Sequence, residues 1–425
     1  MKKIVLFLFV VISLTTNAQD KKEEPKFGIS FSGFVKTDIF YDTRQTVNIR
    51  EGHFLLYPEN ELLDAFNKDV NASAAFNILS IQSRLKGAIT GPEAFGAKTA
   101  GVIEADFFGN ASAGLDDVNG FRLRHAFVKL NWKKTELLTG QYWHPMFIAE
   151  AFPGVVSFNT GAPFQPFSRN PQIRVTHKLG PLNLIACMYS ERDFSSAGPT
   201  SNTSAVLSAS SKYMRNSGIP AAHFQVQFKP DSTEHVFGAG VDYKTLKPEL
   251  YTTVGTKNYK SDQTIASMSA IAYAKFKCKP VTFTIEGVYA QNAYDMVMLG
   301  GYTIDTVEVS TGKKVFTNLN TGSVWTDIQT NGKKVQFGLF AGYTMNLGAA
   351  DSIKTASFYS RGSNIDNIYR VAPRVVFIAG KLNVAIEIEH TVATYGKANG
   401  DSKGGVTDGK AIANTRALLA VIYKF

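Results

Sequence analysis

The most constraining feature of this 425-residue sequence is a series of about sixteen segments in which apolar and polar residues alternate. Alternation with a period of two is typical of β-strands that have one face towards an apolar medium. The connections between the segments are alternately short, with Gly, Pro or Asn, and long, with polar or glycine-rich sequence. This pattern predicts antiparallel strands joined by tight turns on one side and long loops on the other.

The predicted strands have the length and the aromatic residues of a membrane-spanning barrel. We place them at 28–42, 70–90, 97–109, 120–132, 136–147, 170–179, 181–193, 219–229, 234–246, 262–278, 280–292, 319–330, 334–347, 367–379, 381–396 and 411–425. About 9–11 residues of tilted strand cross a bilayer, and aromatic residues near strand ends form girdles at its interfaces. The sequence therefore predicts an all-β fold, a transmembrane antiparallel β-barrel of about 16 strands with short periplasmic turns and long extracellular loops. A soluble β-sandwich is the alternative.

The two ends of the chain indicate export and outer-membrane insertion. Lys2 and Lys3 precede an apolar run over 4–14 and small residues up to Ala18, which predicts a cleaved signal peptide at 1–18. A short periplasmic segment at 19–26 and a barrel at 27–425 would follow. The final "RALLAVIYKF" alternates and finishes on Phe425, like the last strand of Gram-negative outer-membrane barrels. We therefore expect the protein in the cell outer membrane of a Gram-negative bacterium, in contact with its lipid.

Composition argues against several other classes of function. The formal net charge of +10 falls to +8 without the two signal-peptide lysines, and nucleic acid is not an expected partner of an exported chain. Cys187 and Cys278 are too few for a disulfide scaffold and are predicted to be free. No metal-ligand spacing, cofactor motif or nucleophile–base pair is evident, so we predict no catalytic residue, no metal and no cofactor.

Charged residues in the middle of the strands are predicted to face the barrel lumen. A lipid-facing Arg or Lys at the bilayer midplane costs ~2–4 kcal/mol, so alternation assigns these residues to the inner face. The alternative for each one is a solvated or ion-paired position in the wall. The candidate pore-lining residues are Lys36, Asp38, Arg84, Lys86, Glu104, Asp106, Arg122, Arg124, Arg174, Arg370 and Arg374.

Alternation alone leaves the direction of Arg122 and Arg124 open. If Ala126, Val128 and Leu130 face lipid in a regular strand, both arginines share that face and lie near the outer interface. A bulge near His125 would instead turn the arginines into the lumen. They are also lumenal without a bulge if Leu123, His125 and Phe127 face lipid.

The long connection at 148–169 is too apolar for a solvated outer loop. It contains Phe, Pro and Gly in the sequence "IAEAFPGVVSFNTGAPFQPFSR". We expect it to fold into the barrel and narrow the lumen, and packing at a subunit interface is the alternative.

Several segments resemble a known family. "FSGFVKTDIFYDTRQ" (31–45), "FRLRHAFVKLNW" (121–132), "LLTGQYWHPMF" (137–147) and "YRVAPRVVFIAGKL" (369–382) resemble DcaP-like trimeric porins, and the porin-like outer-membrane proteins of Bacteroidetes-type bacteria more closely still. Lys36, Asp38 and the Arg122-x-Arg124 pair match that pattern. The resemblance implies a 16-stranded barrel, a homotrimer and passive diffusion of small polar or anionic solutes. Some members carry an N-terminal coiled coil, but 19–26 is too short for heptads.

The expected function is therefore a porin. A substrate-specific channel, or a subunit of a larger outer-membrane assembly, is the alternative, and an outer-membrane enzyme is a weaker one.

Overall fold

The computed structural model describes residues 27–109, 120–200, 207–350, 353–354 and 357–425. The predicted signal peptide at 1–18, the segment at 19–26 and the predicted loop at 110–119 lie outside these residues. Within them, the main sheet contains 19 strand segments, of which two belong to outer loops and two are pieces of one interrupted strand. The result is a closed antiparallel barrel of 16 strands, as predicted.

The barrel strands are numbered β1 to β16 in chain order. They are β1 (Gly28–Asp42), β2 (Ala75–Leu79 and Arg84–Thr90), β3 (Lys98–Gly109), β4 (Gly120–Asn131), β5 (Thr135–Trp143), β6 (Arg169–Leu179), β7 (Leu182–Tyr189), β8 (Ala221–Phe228), β9 (Val236–Leu246), β10 (Ile265–Lys277), β11 (Val281–Gln291), β12 (Lys314–Thr330), β13 (Val335–Gly348), β14 (Ile365–Ala379), β15 (Leu382–Asn399) and β16 (Gly405–Lys424). Each strand pairs with its sequence neighbours, and β16 pairs with β1 from Phe34↔Lys424 to Asp42↔Arg416. This last pairing closes the barrel and leaves no free sheet edge.

One end of the barrel carries the short turns. Gly180 and Gly380 sit in two of them with φ of 62° and 61°, a left-handed conformation that glycine adopts without steric cost. Cys278 lies in another turn and Cys187 lies in β7, and both are free, as predicted.

The other end carries the long loops, which hold their own secondary structure. Hairpins form from Thr46–Ile49 with Phe54–Pro58, Ala197–Pro199 with Leu207–Ala209, and Tyr251–Val254 with Lys257–Lys260. Gly300–Val307 pairs with β12 and with Phe358–Arg361. A short α-helix spans Lys212–Ser217 and a 3-10 turn spans Tyr294–Met296. None of the helices in the described part of the chain is long and apolar enough to cross a membrane.

The outer wall is apolar, as strand alternation predicts. On β6, Ile173 and Val175 are exposed on the outside while Gln172 faces inwards. On β14, Val371 and Phe377 are exposed. Large apolar side chains that no protein atoms cover are suited to lipid, so this wall spans the membrane.

The interior holds apolar residues as well as charge. Aromatic rings from two long loops and from the inner wall pack into one cluster, which includes Phe54, Phe158, Phe164, Phe167, Trp325 and Phe340. The apolar connection 148–169 was expected inside the barrel, but the apolar residues that the hairpin and the inner wall add to this cluster, such as Phe54, Trp325 and Phe340, were not.

The face of one short stretch was predicted wrongly. Regular alternation through the predicted strand 70–90 puts Leu79 and Ile81 on the same lipid face as the exposed Leu85, but Ile81 is buried in the interior cluster and Leu79 packs against it. β2 is interrupted at 80–83 by a turn in which the Ser83 nitrogen donates to the Ser80 carbonyl. The interruption changes which residues face inwards, and a regular period of two cannot show it.

Candidate functional site

A long segment between β5 and β6 folds into the barrel. Residues 144–168, here the inner loop, leave the wall at Trp143 and reach the opposite wall at β15. There the carboxylate of Glu387 accepts hydrogen bonds from the backbone nitrogens of Val156 (2.8 Å) and Ser157 (2.9 Å). The expectation that 148–169 occupies the lumen therefore agrees with these contacts.

Arg370 ties both inward-folding loops to the wall. Its guanidinium donates to the carbonyl of Ala162 in the inner loop at 3.0 Å and to the carbonyl of Leu56 in the hairpin 46–58 at 2.8 Å. It also lies 3.5 Å from Glu389. Arg370 is 1% exposed, so it acts here as a structural anchor on the inner wall.

Arg374 has a second anchoring role. It donates two hydrogen bonds to Asp327 on β12, at 2.6 and 2.9 Å, and Asp327 also accepts from the backbone nitrogen of Gly154. Bidentate Arg–carboxylate pairs of this kind are strong and geometrically specific. The charge of Arg374 is therefore largely balanced by its neighbour.

Lys36 and Asp38 face inwards from β1 and contact the same loops. The Lys36 ammonium lies 3.2 Å from Asp38 and donates to the Val156 carbonyl at 2.7 Å. Asp38 also pairs with His53 of the hairpin 46–58. Both predicted residues are buried in loop contacts.

A bulge in β4 decides the direction of the two arginines that the sequence left open. Glu104 pairs with His125 but Ala105 pairs with Leu123, so Arg124 is the extra residue. Leu123 is exposed on the outer wall, whereas Arg124 is 1% exposed. The alternative with a bulge near His125 is the correct one, and both arginines face inwards.

These arginines belong to a larger group, here the arginine cluster, which combines inward-facing residues of β2–β4 and β6 with two residues of the long loops. Its members are Arg50, Arg84, Arg122, Arg124, Arg169, Glu104, Asp106 and Asp193. Asp106 accepts from Arg122 at 3.0 Å and from Arg124 at 2.8 Å. Five arginines against three carboxylates leave a formal excess of two positive charges.

A cavity of about 370 Å³ lies between the arginine cluster and the inner loop. Its wall carries Arg84, Arg124 and Trp143, and its other side is formed by inner-loop residues such as Ser157. The guanidinium of Arg124 lies 5.6 Å from the Trp143 ring. Cations and aromatic rings therefore share this part of the interior.

A second cavity, of about 500 Å³, lies towards the short-turn end, between the inner loop and strands β4 to β8. Its charged lining residues are Lys129, Lys133, Glu136, Glu150, Arg174, Lys178, Lys229 and Asp231. Five cations against three carboxylates again leave two positive charges. Arg174 donates to Gln172 at 2.9 Å and to the Trp143 carbonyl at 3.0 Å, so it meets no carboxylate in the described residues.

Ten of the eleven predicted residues thus fall into three groups. Arg84, Glu104, Arg124 and Arg174 line cavities, whereas Lys36, Asp38, Arg370 and Arg374 hold loops. Asp106 and Arg122 belong to the arginine cluster. Lys86 lies opposite Glu104 in the register of β2 and β3. Which of them line the narrowest part of the pore stays a prediction.

Several contributing residues were not among the predicted site residues. Arg50 and Asp193 lie in long loops, where no periodicity indicates the direction of a side chain. Glu387 and Glu389 alternate with apolar residues on β15, which indicated an inward position but not their contact with the inner loop.

The protein is, by its fold, a 16-stranded transmembrane barrel with a loop folded into its interior. Its structure is similar to that of the outer membrane channel DcaP of Acinetobacter baumannii, with a TM-score of 0.66, 17% identity, and coverage of 94% of this chain and 97% of that chain. It is also similar to the anion-selective porin from Comamonas acidovorans (TM-score 0.53, 12% identity, 94% and 100% coverage). OmpT of Vibrio cholerae is similar to a comparable degree (TM-score 0.53, 11% identity, 95% and 100% coverage).

These likenesses show a shared fold. No protein-family model matches the sequence, and no curated protein matches it. In the part of the chain that the structure describes, no three His, Cys, Asp or Glu residues are placed to hold a metal ion.

Proposed function

We propose that this protein is an outer-membrane porin through which small polar solutes, anionic ones included, diffuse passively. The observation that carries the proposal is the closed barrel whose interior is narrowed, but not filled, by a loop held on charged residues. Cavities of about 370 and 500 Å³ with charged walls remain beside that loop. Structural similarity to an outer membrane channel and to a porin supports this function.

A preference for anions belongs to the proposal. Both cavities carry more cations than carboxylates, and fixed positive charge raises the local concentration of anions. The Comamonas acidovorans porin of similar fold is described as anion-selective.

We also propose export by cleavage of the signal peptide 1–18, a periplasmic segment at 19–26, and the Gram-negative outer membrane as the location. The closer resemblance to Bacteroidetes-type proteins stays a prediction.

The proposal assigns no catalytic residue and no cofactor to the chain. A substrate-specific channel is the second candidate, favoured by the cavity that combines Arg84, Arg124 and Trp143. Saturable flux would distinguish it from a general diffusion channel.

A homotrimer is the proposed assembly. A shallow apolar groove on the lipid-facing wall spans β8 to β13 and has a volume of about 880 Å³. Small residues such as Ala270, Gly287 and Gly322 line it. Small side chains allow a second barrel wall to approach closely. One similar structure, of Vibrio cholerae OmpT, is described as a trimer form.

Light scattering of the detergent-solubilised protein should give three copies, and Ala270→Trp should give monomers. A monomeric wild type would contradict the proposal.

The diffusion function is tested by the swelling of proteoliposomes in isotonic solutions of polar solutes. We expect swelling rates to fall with solute size and to rise linearly with solute concentration. Rates no higher than those of protein-free liposomes would overturn the porin proposal, and rates that saturate would favour a substrate-specific channel.

A further inference from the structure

A third cavity lies at the long-loop end of the barrel. Its volume is about 510 Å³, within the range of about 300–1,000 Å³ that is usual for small-molecule sites. The residues that matter for its chemistry are Arg192, Ser195, Ser210, Ser211, Tyr294 and Arg361. They come from three separate loops, so the long loops together form a concave site at the mouth.

The two arginines of this mouth site form no ion pair within the described residues. Arg192 is exposed, and Arg361 lies with its guanidinium 4.5 Å from the Tyr294 ring centroid. The Arg361 Nε is buried without a hydrogen-bond partner. A buried donor left unpaired costs free energy, so a bound ligand or water is expected to accept from it.

The carboxylate beside these arginines is already engaged. Asp193 also lines the mouth site, but it lies 2.6 Å from Arg169 and 3.5 Å from Arg122 of the arginine cluster. Both of those partners face the barrel interior. The positive charge of Arg192 and Arg361 is therefore available to a ligand. Through Asp193, the mouth site adjoins the arginine cluster.

The remaining polar lining is made of hydroxyl groups. Ser195, Ser210 and Ser211 each supply a group that both donates and accepts hydrogen bonds. The rings of Phe194 and Tyr294 add apolar faces to the same cavity. Hydroxyls beside aromatic faces suit a ligand that is itself rich in hydroxyls, whereas an inorganic anion would leave most of these groups unused.

We propose that the mouth site binds an anionic sugar, either a sugar acid or a sugar phosphate, before the solute enters the barrel. The anionic group accepts hydrogen bonds from Arg361 and Arg192, and the sugar hydroxyls bond to the serines. Guanidinium groups bind carboxylate and phosphate through paired hydrogen bonds, so both sources of the charge fit the site. The inference rests on the proposed channel function and adds a class of solute to it.

The test uses the full-length protein in planar bilayers, with glucuronate, a hexose monophosphate or glucose added on the long-loop side. We expect brief interruptions of the ion current with the anionic sugars and far fewer with glucose. Interruption by glucuronate alone supports a sugar-acid site, and interruption by the phosphate alone supports a sugar-phosphate site. Equal interruption by glucose would overturn the proposal.

Substitutions then locate the binding. R192Q together with R361Q should shorten the mean residence time by about tenfold or more, because each charge-assisted hydrogen bond contributes roughly that factor. R361K keeps the positive charge but loses the planar guanidinium. Its mean residence time should therefore lie between those of the wild type and of the double variant. Arg215 is exposed on the neighbouring helix and does not line the cavity, so R215Q should behave as wild type. Unchanged residence times in the double variant would overturn the proposal.

A calorimetric titration of the wild-type protein in detergent covers the case of a variant that does not fold. Glucuronate or the hexose phosphate should release measurable heat, whereas glucose should not. Equal heats for the anionic sugars and for glucose would contradict the proposed mouth site. Absence of ion current in salt alone would count against the porin function itself. A normal current with no interruption would overturn only the mouth site.

Discussion

The carboxylate of Glu387 on β15 accepts a hydrogen bond of 2.9 Å from the backbone nitrogen of Ser157 in the inner loop. The two residues are 230 positions apart in the sequence. The contact means that a loop leaving one wall of the barrel is held on the opposite wall. The width of the channel therefore depends on a few polar contacts of this loop.

Glu387→Ala should release the tip of the inner loop. It removes two charge-assisted hydrogen bonds, to Val156 and Ser157, which together contribute on the order of 3 kcal/mol. We expect a larger and noisier single-channel conductance. The matched control is Glu234→Ala, which removes an exposed carboxylate that pairs with Lys277 at 2.5 Å near the short-turn end and lines none of the cavities described above. Identical conductance traces for Glu387→Ala and wild type would show that this contact does not limit the pore.

Gly342→Val on β13 should dislodge the same loop from another side. A Cβ atom at Gly342 would lie 2.5 Å from Cγ of Phe164, too close for any ring to tolerate without moving. Overpacking of this kind costs about 1–3 kcal/mol, which chemical unfolding in detergent can measure. At Gly87 on β2 the nearest neighbour of such an atom is the Phe31 ring at 3.5 Å, an ordinary contact, so Gly87→Val should change stability by less than about 0.5 kcal/mol. Equal losses in the two variants would argue against the packing of Phe164.

Ion selectivity should follow the cations that lack a carboxylate partner. Arg174 and Lys178 line the cavity at the short-turn end, and neither forms an ion pair within the described residues. We expect a mild anion preference that fades towards molar salt, because screening acts over ~10 Å at 0.1 M. Replacing both residues with Glu should shift the reversal potential in a salt gradient towards cations. The same reversal potential in wild type and variant would place the selectivity elsewhere.

Arg374→Glu should affect assembly before selectivity. The new carboxylate would face Asp327, which Arg374 now binds in a bidentate pair. Loss of one partner from a buried ion pair costs about 3–5 kcal/mol, so the yield of folded barrel should fall sharply. Heat-modifiable migration on gels measures that yield. A fully folded variant with altered selectivity would instead make Arg374 a pore cation.

Phe425→Ala should lower the amount of protein in the outer membrane more than it affects folding in detergent. Phe425 follows β16 and exchanges both backbone hydrogen bonds with Gly33 on β1, where the barrel closes. Its ring is exposed on the lipid side, as is the side chain of Leu419, so Leu419→Ala is the control. Quantitative immunoblots of outer-membrane fractions should show less protein for Phe425→Ala than for Leu419→Ala. Wild-type levels of the Phe425 variant would contradict a role of this residue in insertion.

The barrel itself follows from the sequence because lipid imposes a simple rule on each strand. Alternation placed Arg174 and Arg370 on the inner face, and the structure has them there. Local irregularities broke the rule, as the bulge at Arg124 and the interruption before Arg84 show. The anchoring of the inner loop could not be predicted from the sequence, for a different reason. It depends on contacts such as Glu387 to Ser157, between residues that closure of the whole barrel brings together.

Single-channel conductance in planar bilayers, measured for the wild type and for a variant lacking residues 155–166, tests the central claim most directly. The deleted residues include Val156 and Ser157, which Glu387 holds, and Ala162, which Arg370 holds. If the protein is a porin narrowed by its inner loop, the wild type conducts stably and the variant conducts more. An absence of current in both proteins, or an equal conductance while the oligomer falls apart, would contradict that account.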